Sequence, residues 1–250
     1  VFIGAGTSGR LGVLEAAEIP PTFGMPADVV LGIMAGGKSS VFRSREGAED
    51  QYEDGVRTVA RLKPGKKDAF VGVSASGMTQ FVRGGLASAR KAGARIIFVT
   101  CDPASELQTF VDLTIALGVG PEVIAGSTRL KAGSATKLVL NMLTTASMVR
   151  IGKTYGNLMV DVQSTSEKLK DRARRIVMIV TGLEYEGADK LLRRARWNVK
   201  AAIVMQKSGL PLTKAVSRLR KAQGVVRDAL GEDIEPRLRQ LLGPAAVPAE

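Results

Sequence analysis

The sequence has 250 residues, 45% of them hydrophobic and 4% aromatic, and 36 Lys plus Arg against 24 Asp plus Glu leave a formal charge of +12. That apolar content excludes a disordered chain and is enough for one α/β core with room for a small second unit. Histidine is absent and Cys101 is the sole cysteine. This excludes imidazole catalysis, a Ser-His-Asp triad, an internal disulfide and a multi-thiolate zinc site, so acid/base chemistry falls to Asp, Glu, Lys or Tyr.

In chain order, short apolar runs bounded by Gly or polar residues occur at 1–3, 29–34, 69–73, 96–100 and 113–117, and read as buried parallel strands. Helical periodicity fills the intervals at 9–18, 47–61 and 81–92, followed by a long stretch at 130–150. The alternation predicts an α/β fold: a five-stranded parallel sheet flanked by helices, doubly wound, with ligands beyond the carboxyl ends of the strands. After Asp161 the strand signals stop, and three helix-like stretches at 166–181, 186–206 and 212–230 predict a small C-terminal helical bundle. The expected domains are therefore 1–163 and 164–242, with a frayed tail at 243–250 that carries two Pro and three Ala.

Apolar runs such as 176–180 stop far short of the ~18 residues of a membrane span. Residues 1–3 already read as a strand, which leaves no room for a signal peptide and makes the start look truncated. With the lone cysteine, these features give a cytoplasmic, non-membrane protein as the expectation.

The first strand runs into Gly4-Ala5-Gly6-Thr7-Ser8-Gly9-Arg10, a G-x-G-x-x-G match whose backbone N–H groups can face an anion. A dinucleotide site should carry an acidic residue at the end of the second strand, but that strand ends in Ala35-Gly36-Gly37 and Asp28 precedes it. Phosphate binding by Thr7 and Ser8 is favoured over a dinucleotide site or a purely structural turn. The third strand ends in Ser74-Ala75-Ser76-Gly77-Met78-Thr79, a second hydroxyl-rich loop before a helix. Ser74, Ser76 and Thr79 are candidate phosphate ligands, and ordinary capping is the alternative for Ser76 and Thr79.

These paired loops resemble the sugar isomerase (SIS) domain family of phosphosugar-binding proteins, and within it the N-acetylmuramic acid 6-phosphate etherase family. The resemblance extends through Glu18-Ile19-Pro20-Pro21-Thr22, Glu46-Gly47-Ala48-Glu49-Asp50 and Gly126-Ser127-Thr128-Arg129-Leu130-Lys131-Ala132-Gly133 to Tyr155-Gly156-Asn157-Leu158-Met159-Val160-Asp161-Val162. It implies a lyase that cleaves the D-lactyl ether of N-acetylmuramic acid 6-phosphate in cell-wall recycling. Such an enzyme uses no cofactor and no metal, and works as a homodimer. It also implies further helices before the first strand and a ubiquitin-associated-type unit at the C-terminal end. The alternative within the family is a non-catalytic phosphosugar-binding regulator.

By the same resemblance Glu18 and Glu49 match the two catalytic glutamates, and Glu46 is a substrate-binding candidate. Glu18, at the end of a predicted helix stopped by Pro20-Pro21, is the expected acid, because the helix dipole disfavours its anion. Glu49, on one helical face with Glu46, is the expected base. Without the resemblance, both glutamates read as solvated helix residues. A straight helix from Gly9 would leave Glu18 about 14 Å from the glycine turn, so the helix is short or bent, or the site is shared between subunits.

The chain departs from the family pattern at Met78, where an arginine is usual, and at Asp102, where asparagine is usual. Cys101 reads as a turn or core residue and Trp197 as core. The stretch 170–221 holds 14 Lys or Arg against 4 acidic residues. A solvated bundle face explains it better than nucleic-acid binding, since aromatics for stacking are few.

Overall fold

The computed structural model describes residues 1–162, 164 and 166–232, so the expected end of the helical domain and the tail 243–250 lie outside the described residues. The chain divides into two compact units, Val1–Pro21 with Met25–Thr145, and Thr22–Gly24 with the chain from Ala146 onward.

The first unit is built on a parallel sheet of β1 (Phe2–Gly4), β2 (Gly32–Met34), β3 (Ala69–Val73), β4 (Arg95–Thr100) and β5 (Leu113–Ala116), in the spatial order β2-β1-β3-β4-β5. The runs are apolar throughout because helices cover both faces. Phe70, Val59, Phe81, Val82 and Leu86 pack into one core cluster, and Phe2, Val71, Val73, Val99 and Leu140 into another. The helices of this unit are α1 (Gly6–Phe23), α2 (Ser39–Phe42), α3 (Tyr52–Ala60), α4 (Gln80–Lys91) and α5 (Lys131–Arg150), with a 3₁₀ turn at Glu106–Phe110; Thr22 and Phe23 of α1 and the last turn of α5 from Ala146 count with the second unit.

Two of these helices differ from the sequence expectation. α1 begins at Gly6, so Thr7 and Ser8 lie in its first turn, and it runs past Pro20 and Pro21 to Phe23. Proline's fixed φ is itself helical, although each ring removes a helical hydrogen bond and crowds the carbonyl four residues back; the helix continues through them with Ile19 and Phe23 of its last turns buried. α3 begins at Tyr52 rather than 47, because Gly47 adopts φ +69° and turns the chain.

The second unit opens with the hairpin β6 (Thr154–Tyr155) and β7 (Leu158–Met159). It continues through α6 (Glu167–Thr181), α7 (Tyr185–Arg194), α8 (Val199–Ser208), α9 (Leu212–Lys221) and α10 (Val226–Leu230). The single helices expected at 186–206 and 212–230 are each broken in two. Arg196 and Trp197 take positive φ before Asn198, whose side chain accepts the Ala201 N–H at 2.9 Å as an N-cap. The second break falls at Gln223 and Gly224, also at positive φ.

Trp197 is half-buried rather than core, with the Lys170 ammonium 5.5 Å and the Arg174 guanidinium 5.0 Å from its ring centre. Several cations of this basic stretch are paired internally: Arg174 and Arg193 both reach Asp189 at 2.6 Å, and Lys200 reaches Asp161, which Lys153 from before the stretch also reaches. Among the described residues no helix is long and apolar enough to cross a membrane.

Candidate active site

The order of the sheet locates the site before any side chain is considered. β1 lies between β2 and β3, and Gly4 pairs in register with Met34 on one side and Val73 on the other. The segments that follow these three strands therefore leave the same edge side by side. The chain reverses its winding between β1 and β3, the crevice where ligands bind in such sheets.

The segment after β1 is the glycine turn. A Cβ on Gly4 would lie 2.7 Å from the Gly9 nitrogen, and one on Gly9 2.8 Å from the Gly4 oxygen, so only glycine lets α1 start this close to its strand. The Gly9 N–H bonds to Ala5 at 3.1 Å. The N–H groups of Gly6, Thr7 and Ser8 have no intrahelical partner, and the first turn holds no acidic residue to compete for them. The positive end of an 18-residue helix thus opens at the crevice, with Thr7 and Ser8 half-buried in its first turn.

The segment after β3 is held by its own hydroxyls. The buried Ser74 and the half-buried Thr79 share a hydrogen bond at 2.8 Å, while Ser76 is exposed and accepts the Met78 N–H at 3.4 Å. Gly77 takes φ +71°, and a Cβ there would lie 2.1 Å from Ser105 Oγ. Ser76, Met78, Thr79, Arg83, Asp102 and Ser105 are among the residues that line a cavity of 340 Å³. Met78 is 77% exposed at its rim, and Asp102 Oδ1 accepts the Ala104 N–H at 2.9 Å.

The segment after β2 carries both expected glutamates of the third motif. Glu46 and Glu49 are exposed on an irregular stretch between α2 and α3, not on one helical face. They line a 190 Å³ cavity together with Gly6, Arg10, Ser44 and Arg45. The Glu49 carbonyl accepts the Phe81 N–H at 2.9 Å, and Ala48 is buried between the glutamates.

Glu18 is not brought to this edge. It is exposed on α1, twelve residues beyond Gly6, which is about 18 Å along an uninterrupted helix. The helix is neither short nor ended at the prolines, so of the options open from sequence the structure retains a bend or a shared site.

Burial pushes the Cys101 thiol above its ordinary pKa, opposed by a hydrogen bond with Thr136, which leaves it a poor nucleophile at neutral pH. Sequence reasoning missed Arg10, whose partners are two main-chain carbonyls, which have no sequence signature, and the Ser44 hydroxyl. It also missed Ser105, which only its place beyond the end of β4 could have signalled. The buried Glu15, bonded to Asn141 and Thr144 on α5, was not anticipated either.

Residues 1–90 match the family model of the glucokinase regulatory protein N-terminal SIS domain. The chain is 50% identical over 232 residues to an N-acetylmuramic acid 6-phosphate etherase of Clostridium botulinum strain Langeland, covering 93% of this chain and 77% of that protein. It is 52% identical over 236 residues to the etherase of Rubrobacter xylanophilus, at 94% and 78% coverage. The chain belongs to the N-acetylmuramic acid 6-phosphate etherase family. A third member, from Alkaliphilus metalliredigens, is 48% identical over 239 residues, covering 94% of this chain and 78% of its own. The etherase matches thus extend through both compact units, whereas the regulatory-protein model stops within α4.

Proposed function

We propose that the chain is a carbon–oxygen lyase that removes D-lactate from the C3 ether of N-acetylmuramic acid 6-phosphate and leaves N-acetylglucosamine 6-phosphate. One observation carries the reading: the hydroxyl-bearing turns after β1 and β3 and the Glu46/Glu49 segment after β2 leave one sheet edge at its switch point, in a chain half identical to named etherases. Thr7, Ser8, Ser76 and Thr79, with the free N–H groups of the first turn of α1, hold the phosphate, and Ser74 holds Thr79. Glu46 contacts the sugar.

In the open-chain sugar the C1 aldehyde acidifies the C2 proton. Glu49 removes it, the C3–O bond breaks, and the departing lactyl oxygen takes a proton from Glu18. Water then adds to C3 of the unsaturated aldehyde while C2 regains a proton. Each positioned transfer contributes about 10²–10⁴ in rate. The substrate's own aldehyde stabilises the carbanion, so the chemistry calls for no cofactor.

Glu18 serves the site of a second subunit in a homodimer. Leu14 lies one turn before Glu18 on the same face of α1, and both are exposed, as are Leu138 and Met142 on α5. A partner covering that apolar face would receive Glu18 with it.

The second reading, a non-catalytic phosphosugar-binding regulator, is favoured by the regulatory-protein model over residues 1–90. Release of D-lactate by the purified chain separates the two. In D₂O, Glu49→Ala abolishes exchange at C2, whereas Glu18→Ala retains exchange and fails at the ether. The opposite pattern reverses the two roles, and wild-type lactate release from both variants refutes them.

A further inference from the structure

We propose that Arg10 is a positioning residue that holds the segment bearing Glu49 against the glycine turn; this rests on the reading of Glu49 as the base. Glu46 and Glu49 lie on an exposed stretch without regular secondary structure. A base there needs ties that fix it to within a fraction of an ångström, because a misplacement of ~1 Å can cost 10²-fold in rate.

Four ties are present, the weakest an exposed one in which the Gln51 amide donates to the Gly47 carbonyl at 3.3 Å. Beyond the base, the Glu49 carbonyl is fixed by the Phe81 N–H. In the middle, Ala48 packs into the cluster of Val59 and Phe81. Before the base, the Arg10 guanidinium reaches from the second turn of α1: Nε donates to the Val41 carbonyl at 2.8 Å, and Nη2 to the Ser40 carbonyl at 3.0 Å and to Ser44 Oγ at 3.2 Å.

Arg10 is suited to this by chemistry as well as place. α2 has four residues, too few to be stable alone, and at its C-terminal end the Arg43 N–H bonds the Ser39 carbonyl. The carbonyls of Ser40 and Val41 are left to the guanidinium. Its planar fork spans two neighbouring carbonyls and a hydroxyl at once, whereas the diverging N–H groups of a lysine ammonium do not. Only the residues between Ser44 and Glu49 separate this anchor from the base, and Arg10 lines the same cavity as Gly6, Glu46 and Glu49. The start of α1 and the segment of the base are thereby referred to one side chain.

The test compares Arg10→Lys with the parent chain and with Glu49→Ala in three measurements: deuterium exchange at C2, the Kd of N-acetylglucosamine 6-phosphate, and amide hydrogen exchange over residues 44–49. The expected result is a fall in the exchange rate of about 10- to 100-fold with the Kd within threefold of the parent. Faster amide exchange confined to the 44–49 segment should accompany it, and millimolar guanidinium should restore part of the rate to Arg10→Ala. Parent-like C2 exchange in Arg10→Lys overturns the proposal, as does a loss of rate matched by an equal loss of affinity. Should Arg10→Lys fail to fold, Ser44→Ala decides: slower C2 exchange at unchanged Kd supports the tie, and unchanged exchange overturns it. If Glu49→Ala itself keeps full exchange, the reading of the base falls, an outcome distinct from an unaffected Arg10→Lys beside an inactive Glu49→Ala.

Discussion

Replacing Thr144 by valine removes one hydroxyl from a buried carboxylate and little else. Glu15 on α1 is 5% exposed, and its two oxygens accept from the Thr144 hydroxyl and the Asn141 amide, both on α5. Lys137 in turn donates to Asn141. The Thr144 hydroxyl has other acceptors in the Leu140 and Asn141 carbonyls, each at 3.2 Å, but it has one proton, and the carboxylate is the strongest acceptor. In the valine variant Glu15 keeps a single donor in a site closed to water. A hydrogen bond to a charged group is worth about 1.5–3 kcal/mol, and the similar shape of valine leaves no cavity to add to it, so a loss of about 2 kcal/mol is expected. Urea unfolding followed by far-UV circular dichroism should show a lower midpoint with an unchanged slope. Trp197 lies in the other unit, so circular dichroism rather than its fluorescence is the readout for this site. Thr136→Val is the control: Thr136 is equally buried on α5, but its hydroxyl meets the weakly polar Cys101 thiol, and the cost should be below about 1 kcal/mol. A Thr144→Val loss under about 0.5 kcal/mol, or equal losses in the two variants, would refute the dependence of Glu15 on this donor.

Thr7→Ala combined with Ser76→Ala should weaken N-acetylglucosamine 6-phosphate at least tenfold in calorimetry without changing the melting temperature, and unchanged affinity rejects the two turns as the phosphate site. Mixing inactive Glu18→Ala with inactive Ser76→Ala subunits should recover lactate release, since one site of each mixed dimer is intact, and exchanging dimers with no recovery sink the shared site. Glu122 accepts the Ala132 and Lys131 N–H groups at 2.9 Å each, and these bonds hold its carboxyl below the ordinary glutamate pKa. Its contribution is therefore complete above that ordinary value and lost as pH falls through the lowered one, so Glu122→Gln should flatten the acid limb of stability against pH, and an unchanged limb refutes the cap.

The five strands were legible because burial on both faces leaves continuous apolar runs, and the two hydroxyl-bearing turns because Gly, Ser and Thr punctuate a strand-to-helix junction. What escaped had local causes that periodicity does not record. Glu46 and Glu49 fit a helical face by spacing, yet Gly47 turns the chain between them. The early start of α1 escaped because a Gly-Thr-Ser-Gly run has poor helix propensity, and its close packing on β1 is not visible in periodicity. The break at Arg196 and Trp197 uses positive φ in residues that rarely adopt it, stabilised by the Asn198 cap and the cations against the indole. α2 is too short to print a period at all, and the arginine that holds it bonds mainly to carbonyls.

The sole thiol offers a chemical handle on the crevice. The Cys101 N–H donates to the Ala75 carbonyl at 3.1 Å, within the turn after β3. Half-buried and held mostly as the thiol, it should be alkylated slowly at neutral pH, at a rate set by how often that turn opens. One added mass per chain, read over time with and without a sugar phosphate, would then report closure of the turn without any engineered label.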